Sequence, residues 1–351
     1  MAVEVYTSMD SEAQSATGLN FRCENCGGIM EFDPAVQKMK CPHCGNEKDV
    51  QDMKIEDVSF SHQDFKVFKC SSCGAELLTD ENTTSTFCSY CGNATLIESR
   101  VTGENAPTYI IPFKHKKGDA IEEFQKWCRK GILTPNIFKN STTVEKVSGI
   151  YVPFWLFDVD GDLQASGQCT KVRYSSDEEY NYVHTSYYHV HRDINANFVK
   201  IPADASNKMD DDVMDKLEPF YYDELQEFNM AYLSGYLSEK YNMDFEALMP
   251  RIKQRADEYM DTFLARELAM YDGKSVSSNK SIRLNNAVYA VLPVWILNYR
   301  YQGKNYTFAM NGQTGRIVAD LPWSGKKAAI WFVSLTILFT IILMIVGMVI
   351  G

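Results

Sequence analysis

The stretch FRCENCGGIMEFDPAVQKMKCPHCG, residues 21–45, contains two Cys-x-x-Cys pairs, and a glycine follows each pair directly. The segment between the pairs, 27–40, is long enough for a hairpin to fold back and bring the two pairs together. Glycine suits the tight turn at each pair because it accepts positive φ without steric cost. The pattern therefore predicts four sulfur atoms that converge on one metal ion.

The same arrangement of cysteines recurs 47 residues further along the chain. Tetrahedral sites built from two such pairs are the usual closed structural zinc sites, so we predict one Zn²⁺ in each set, with iron or cadmium as open alternatives. Cysteine at all four positions leaves none for water or substrate, so the zinc should hold the fold rather than catalyse. The predicted ligands are Cys23, Cys26, Cys41 and Cys44 in the first ribbon, residues 21–50, and Cys70, Cys73, Cys88 and Cys91 in the second, residues 65–100.

The N-terminal part of the chain indicates a cytosolic protein. Clustered Cys-x-x-Cys pairs favour metal ligation over disulfides, which fits a reducing compartment. Met1–Asn20 lacks the basic region and apolar run of a secretory signal, and its small polar residues predict a flexible N-terminus over residues 1–20. His43, inside the second pair of the first ribbon, is interpreted as an exposed turn residue rather than a fifth ligand.

A long apolar segment lies at the opposite end. Ala328–Ile350 is 23 residues without a charge, long enough as a helix to cross roughly 30 Å of hydrocarbon. Lys326 and Lys327 precede it directly, and cations beside a span stay on the cytoplasmic side. We predict a single tail-anchored transmembrane helix, residues 328–350, in the cell membrane, a cytosolic N-terminal body, and interfacial aromatics at Trp323 and Trp331.

The charge balance argues against a nucleic-acid partner. The 351 residues include 35 Lys and Arg against 46 Asp and Glu, a formal charge of −11, whereas phosphate backbones attract positive charge. Neither predicted ribbon carries a basic stripe, so a protein-docking surface fits better. Nucleic-acid binding is kept as the least favoured alternative.

A larger domain, residues 108–323, is predicted where the composition becomes aromatic-rich. Gly118–Gly131 has apolar residues at helical spacing between two glycines, which predicts a helix. Residues 144–200 contain β-branched and aromatic runs that predict hairpin-linked strands of an antiparallel sheet. Residues 208–273 are acidic with helical spacing and predict an α-helical insertion. The expected fold class is two small zinc ribbons followed by an α+β domain with an antiparallel sheet and a single C-terminal transmembrane helix.

Two similar apolar strings lie far apart in the sequence of this domain, Val152-Pro153-Phe154-Trp155-Leu156-Phe157 and Leu292-Pro293-Val294-Trp295-Ile296-Leu297. We interpret them as two related β units in one sheet, on either side of the helices, with chance similarity as the alternative. Turn signals follow them, and we expect turns at Asp160-Gly161-Asp162, at Ser175-Ser176-Asp177 and at Gly303.

Motifs of known enzymes are missing from the sequence, which has no P-loop, dinucleotide fingerprint, His-Glu-x-x-His or Gly-x-Ser-x-Gly. We therefore predict that the protein is not an enzyme. His189 and His191 would share one face of a strand near His184, but no third metal ligand lies at a fitting spacing. We interpret these histidines as ordinary sheet residues, with a metal or catalytic role as the alternative.

Two further groups of side chains have a structural interpretation. Asp210, Asp211 and Asp212, with Asp215 and Glu218, are interpreted as solvated charge favoured at a helix N-terminus rather than as a cation site. Cys128 lies at helical spacing with the apolar residues of the helix predicted over 118–131, and Cys169 lacks a partner at ligand spacing, so we predict that both are buried core residues.

The order of these parts resembles that of the TFIIB-type zinc-ribbon membrane proteins of Gram-positive bacteria. The resemblance rests on the eight cysteines, the aromatic-rich α+β domain and the C-terminal span, and it covers the whole chain in layout. It implies a membrane adaptor associated with phage-shock-A-like and flotillin-like (SPFH) proteins in envelope stress. It does not imply transcription, and the contact surface for those partners stays open.

The expected function is that of a membrane-anchored cytosolic adaptor or scaffold that recruits partner proteins to the membrane. An enzyme with an unrecognised site in residues 108–323 is the main alternative. A deep pocket with convergent polar groups would favour the enzyme.

Overall fold

The computed structural model describes residues 16–17, 21–53, 67–69, 76–78, 83–87, 94–96, 106–135, 147–207, 209–301, 304–320 and 322–350. Most of the predicted flexible N-terminus lies outside these residues. So do the four predicted ligands of the second ribbon, Cys70, Cys73, Cys88 and Cys91. The strands and helices, in chain order, are β1 Ala16–Thr17, β2 Glu31–Asp33, β3 Lys38–Lys40, β4 Glu47–Lys48, β5 Val67–Lys69, β6 Glu76–Leu78, β7 Thr83–Phe87, β8 Ala94–Leu96, β9 Tyr109–Ile110, α1 Lys117–Lys130, β10 Ser148–Ser176, β11 Asn181–Asp204, α2 Asp211–Lys216, β12 Gln226–Glu227, β13 Leu237–Glu239, α3 Phe245–Glu267, β14 Gly273–Tyr301, β15 Lys304–Asn311, β16 Ile317–Ala319 and α4 Gly325–Ile350.

Three sheets organise the described strands. A small antiparallel sheet, β2-β3-β4, carries the first set of cysteines, and β1, β5 and β6 form a second small sheet. The ten remaining strands, β7 to β16, form one large sheet. The strands of the predicted second ribbon are thus divided between two sheets, because β7 pairs with β13 of the large domain. The coarse order of a small antiparallel sheet with cysteines, a larger sheet domain and an apolar C-terminal helix is confirmed.

The large sheet is built around one long pair of strands. β10 and β14 run antiparallel from the pair Ser148–Ile296 to the pair Thr170–Gly273, with one register shift between Asp158 and Val159. The two apolar strings lie here, with Val152 directly opposite Leu292. They are therefore neighbours in one sheet, as the prediction of a single sheet required.

The tryptophans of the two strings occupy equivalent positions on opposite sides of the Val152–Leu292 pair. The indole Nε1 of Trp155 donates a hydrogen bond to the Met243 carbonyl at 3.0 Å. That of Trp295 donates to the His115 carbonyl at 3.1 Å. Both tryptophans lie on the same face of the sheet and in the same apolar cluster, and each fixes one loop there with a hydrogen bond that satisfies its indole N–H.

The turn predicted at Asp160-Gly161-Asp162 is wrong, because β10 continues through these residues without interruption. The glycine is explained by packing instead of by a turn. A Cβ at Gly161 would lie 3.1 Å from the Met260 sulfur of α3. The chain turns at residues 177–180, directly after Ser175-Ser176, where Asp177 Oδ1 accepts hydrogen bonds from the amides of Glu179 and Tyr180 at 2.9 and 2.8 Å. Gly303 lies outside the described residues.

The distal halves of β10, β11 and β14 form a three-stranded arm, which we define as residues 158–176, 181–199 and 273–286. Period-2 alternation places Leu163, Ala165 and Cys169 on the face that α3 covers. The opposite face is exposed. The tip carries tyrosines in solvent, with Tyr174 and Tyr187 exposed by 76% and 75%.

Residues 209–273 are helical only in part. α2 and α3 lie in this range, but β12 and β13 lie between them and pair with the large sheet. Two arginines on α3, one helical turn apart, tie α3 to α2 and to the segment that follows α2. Arg251 pairs with Asp215 at 2.7 Å, and Arg255 pairs with Glu218 at 2.8 Å.

Members of the acidic cluster cap α2 and form ion pairs with α3. Asp210 caps α2, since its Oδ1 accepts a hydrogen bond from Val213 N at 3.1 Å. Asp211 joins the ion pairs of Arg251 at 3.2 Å. Arg251 also pairs with Asp204 at 3.0 Å, a side chain that the core buries completely. Burial raises the pKa of Asp204 to about 6, against the opposing effect of Arg251.

The helix predicted over residues 118–131 is α1, which begins at Lys117 and ends at Lys130. Its N-terminus is capped by Asp119, whose carboxylate accepts the Lys116 amide at 2.8 Å. Phe124 of the buried face packs edge-on against Phe308 of β15, with 4.8 Å between ring centroids. Cys128 and Cys169 are both fully buried, as predicted for core residues.

The last helix, α4, is apolar on all sides. Its segment Gly325–Val346 has a mean hydropathy of 2.7, and none of it is buried in the protein. The segment is therefore long and apolar enough to cross a membrane.

The close approach of β10 to β14 generates the first prediction. A Cβ at Gly167 would overlap the Ser275 carbonyl and lie 2.6 Å from Val276 Cα. Because backbone cannot move aside as a side chain can, Gly167→Ala should lower the free energy of unfolding by about 1–3 kcal/mol. Urea unfolding of the detergent-solubilised protein measures this.

The matched control is Gly118→Ala in α1, where nothing lies within 4 Å of the added Cβ. Alanine stabilises a helix relative to glycine by roughly 0.5–1 kcal/mol, so this variant should be unchanged or more stable. Equal stability of the two variants would contradict the long β10–β14 pairing.

Candidate metal centre

The two cysteine pairs of residues 21–45 form two turns with the same hydrogen bonds. In the first, Cys23 N donates to Gly28 O at 2.7 Å and Gly27 N donates to Cys23 O at 2.8 Å. In the second, Cys41 N donates to Asn46 O at 2.8 Å and Gly45 N donates to Cys41 O at 2.9 Å. Gly27 and Gly45 have φ of 70° and 76°, so the requirement for positive φ explains both glycines.

The sheet β2-β3-β4 brings these turns together so that four sulfur atoms converge. Cys23 and Cys44 Sγ are 3.5 Å apart, and Cys26 and Cys41 Sγ are 3.6 Å apart. All four sulfurs lie within 4.8 Å of one another. Sulfurs at the corners of a tetrahedron with metal–sulfur bonds of about 2.3 Å would be about 3.8 Å apart. The cluster could therefore bind one metal ion.

The thiols of the cluster have different pKa values because each sulfur affects the ionisation of the others. Burial raises the pKa of Cys23, but hydrogen bonds from the amides of Asn25 and Cys26 outweigh it and lower the pKa to about 6. For Cys44, the Asn46 amide lowers the pKa, but the sulfurs of Cys26 and Cys23 raise it to about 12. Ionising one thiol makes the next more costly. A bound cation would remove that cost and release the protons.

The cluster has a buried side and an exposed side. Cys23 and Cys41 are buried, whereas Cys26 and Cys44 are exposed. Asn46 Nδ2 lies 3.6 Å from Cys23 Sγ, where it can donate to the sulfur from outside the four ligands. A side chain at Gly28 would lie 3.3 Å from Cys41 Sγ, so glycine keeps this space open.

The other sequence-based candidates do not join a metal cluster within the described part of the chain. His43 is exposed on its turn. His184, His189 and His191 are exposed on β11 in the arm, where His184 Nε2 contacts Ser175 Oγ at 3.0 Å and His191 Nε2 contacts Asp193 at 3.1 Å. The acidic cluster is held by Arg251 and Arg255, as described above.

The metal centre is packed directly against the large domain. Phe32 of β2 meets Tyr232 edge-on at 5.1 Å, and its amide donates to Ser234 O at 3.0 Å. Asp33 forms an ion pair with Lys116 at 2.9 Å, where 17% of the Asp33 side chain is exposed. The ribbon residues in the shared apolar cluster are Phe21, Cys23, Met30, Phe32, Met39, Cys41 and Val50.

A cleft of about 440 Å³ lies between the ribbon and the large sheet. Tyr236 and Trp295 line it, together with charged residues from both sides, which include Glu31, Asp33, Lys40 and Lys116. Sequence reasoning missed this cleft, because its lining comes from segments that are far apart along the chain. Lys116 and Lys40 form ion pairs at its edge with Asp33 and Glu47, at 2.9 and 3.1 Å.

Comparison with known proteins shows similarity over most of the chain. The chain is 43% identical over 317 residues to the Bacillus subtilis (strain 168) protein "Uncharacterized protein YdjG", with 90% of this chain and 93% of that protein covered. No protein-family model and no solved structure matches the chain.

The shared core generates the second prediction. Cys41→Ser should abolish metal binding at the first cluster, and the loss should reach the large domain through Phe32 and Met39. We expect the midpoint of thermal unfolding to fall by about 4 °C or more, since 1 kcal/mol shifts it by roughly 2–4 °C in a domain of this size. Near-ultraviolet circular dichroism of the aromatic core measures it.

Cys169→Ala is the control, because Cys169 is a buried cysteine of the arm, outside the cluster. This variant should keep its metal. An unchanged unfolding midpoint in Cys41→Ser, with the metal lost, would mean that ribbon and large domain are independent units.

Proposed function

The chain belongs to the family of the Bacillus subtilis protein YdjG, and from this premise we propose that it is a membrane-anchored zinc-ribbon adaptor that recruits partner proteins to the membrane in envelope stress. The observation that carries the proposal is the combination, in one chain, of a closed four-cysteine cluster and a helix whose apolar segment the protein does not bury. A closed cluster fits a structural role, and the helix fits an anchor.

We propose zinc as the metal, with one ion in each cysteine set. Tetrahedral thiolate sites without an open position are characteristic of structural zinc. The spacing of the first cluster supports this choice, and the repeat of the same cysteine pattern after 47 residues supports a second site at Cys70, Cys73, Cys88 and Cys91.

The proposed location is the cell membrane, crossed once by α4, with the body in the cytosol. Two lysines at the start of α4, Lys326 and Lys327, support this orientation, because cations beside a span stay on the cytoplasmic side. Reduced cysteine clusters fit the same compartment.

The arm supports an adaptor role. Aromatic residues are enriched at protein interfaces, and the tip exposes Tyr174, Tyr180, Tyr182 and Tyr187. Within the described residues, β11 pairs with β10 alone, so its outer edge is open to an added strand. From the resemblance in layout, we propose SPFH and phage-shock-A-like proteins as the partners.

An enzyme remains the second candidate, and the cleft between ribbon and sheet is the observation that favours it. Apolar pockets with a few polar groups are the usual place for small-molecule sites. The cleft's Asp33 and Lys116 neutralise each other at 2.9 Å, which favours a structural interface over a reactive site. We therefore rank the adaptor first.

The proposed metal content gives the third prediction. Full-length protein purified in detergent should contain two zinc ions per chain by elemental analysis. Cys73→Ser should lower this to about one, because removing a ligand strongly weakens a thiolate site. Cys169→Ser should retain two. A wild-type content of about one would leave the second cysteine set without a metal role.

The adaptor role gives the fourth prediction, tested by flotation with liposomes. Purified SPFH or phage-shock-A-like protein should float with liposomes only when the full-length chain is present. A chain that ends at Ser324 should bind the same partner in solution but leave it unfloated, since the anchor is missing.

Substitutions on the arm separate recruitment from anchoring. Tyr174→Ser with Tyr187→Ser should leave the chain on liposomes and lower partner flotation by tenfold or more, about 1.4 kcal/mol. Tyr221→Ser, a tyrosine exposed by 54% away from the arm, should change nothing. If the full-length chain floats with the liposomes but neither added partner floats with it, the proposed recruitment is refuted.

A further inference from the structure

The start of α4 is fixed to the large domain rather than joined by a free linker. Ser324 N donates a hydrogen bond to the Leu133 carbonyl at 2.8 Å. Lys327 Nζ donates to the Thr134 carbonyl at 2.6 Å. The loop of residues 131–135, which follows α1, therefore lies beside the first turn of the apolar helix.

Two large apolar side chains next to this junction face solvent. Ile132 and Trp323 directly precede the two residues that the junction joins, Leu133 and Ser324. They are exposed by 61% and 65%. Trp is enriched at the boundary between lipid headgroups and acyl chains, and Ile beside it would add apolar area to bury there.

Three cations lie close to these side chains in the sequence, and one of them, Lys130, has its ammonium 5.7 Å from the centroid of the Trp127 ring. Arg129 and Lys130 end α1, and Lys326 lies in the first turn of α4. Among the described residues, none of these three cations forms an ion pair, although the chain as a whole has a net charge of −11. A local excess of positive charge beside an apolar helix is the pattern that anionic lipid surfaces attract.

We infer that Arg129, Lys130, Ile132, Trp323 and Lys326 form a membrane-contact patch that binds the headgroups of anionic phospholipids. The inference rests on the membrane anchor proposed above and adds a second contact to it. Because the junction fixes α4 to the loop after α1, insertion of α4 brings the patch to the surface of the same bilayer. The domain is then held against the membrane in one orientation.

The test uses the full-length chain in lipid nanodiscs of phosphatidylcholine, with or without phosphatidylglycerol. The rate at which a water-soluble amine reagent acetylates Lys130 is measured by mass spectrometry. Phosphatidylglycerol should slow acetylation of Lys130 about fivefold, the factor expected for one cation at an anionic surface. Lys253, exposed on α3 away from the junction, is the internal control and should be unaffected.

The apolar part of the patch is tested with lipids brominated near the headgroup. Ile132→Trp adds tryptophan fluorescence, and these lipids should quench the added fluorescence. The fluorescence added by Met270→Trp should not be quenched, because Met270 is exposed by 59% beyond the distal end of α3. Arg129→Gln with Lys326→Gln should reduce the slowing of Lys130 acetylation without releasing the chain from the disc.

Co-purification with nanodiscs separates failure of the patch from failure of the anchor. A chain that co-purifies with discs but shows equal Lys130 acetylation in both lipids and no quenching at position 132 would overturn the patch alone. Quenching without any effect of phosphatidylglycerol would overturn the binding of anionic headgroups. A chain that fails to co-purify would overturn the anchor and, with it, the patch.

Discussion

The pairing of β10 with β14 is the constraint on which the rest of the fold depends. It joins two segments that are distant along the chain, from the pair Thr170–Gly273 to the pair Ser148–Ile296. β9, β13 and β15 add to the proximal half of the pair, and α3 packs on its distal half. The close backbone approach at Gly167 belongs to the same pairing. Such non-local pairing is costly in loop-closure entropy, so burial of both apolar strings must offset that cost.

The ribbon that carries the metal centre shares an apolar cluster with this core. Modules of about 30 residues cannot bury enough apolar surface alone, and metal binding usually supplies the difference. Here a second source contributes, since Phe32 packs on Tyr232 and Ser234 Oγ donates to the Met30 carbonyl at 2.8 Å. Buried Cys23 and Cys41 face this contact, whereas Cys26 and Cys44 face solvent. A metal ion would then join the exposed Cys26 and Cys44 to Cys23 and Cys41, which packing against the large domain already holds in place.

Spacing patterns in the sequence predicted features that depend on residues close along the chain. They did not predict contacts between residues that are far apart along the chain. Cysteine spacing predicted the first cluster, and helical spacing predicted α1 and the burial of Cys128, because each depends on residues near in sequence. Gly161 was interpreted as a turn residue, since glycine permits both turns and close packing, and its contact Met260 lies in a distant part of the sequence. The roles of Arg251 and Arg255 were missed for the same reason. Their spacing by one helical turn, after a run of aspartates, was the available signal.

Helix α1 connects the two ends of the chain that matter for the proposed function. Lys116, directly before its first residue, pairs with Asp33 of the ribbon at 2.9 Å. The loop after its last residue accepts hydrogen bonds from Ser324 and Lys327 at the start of α4. A helix of 14 residues is about 21 Å long and resists bending over that length. The metal centre and the apolar helix are therefore held at a fixed separation by one rigid element. If α4 is the membrane anchor proposed above, this fixed separation also sets the direction in which the arm points away from the membrane.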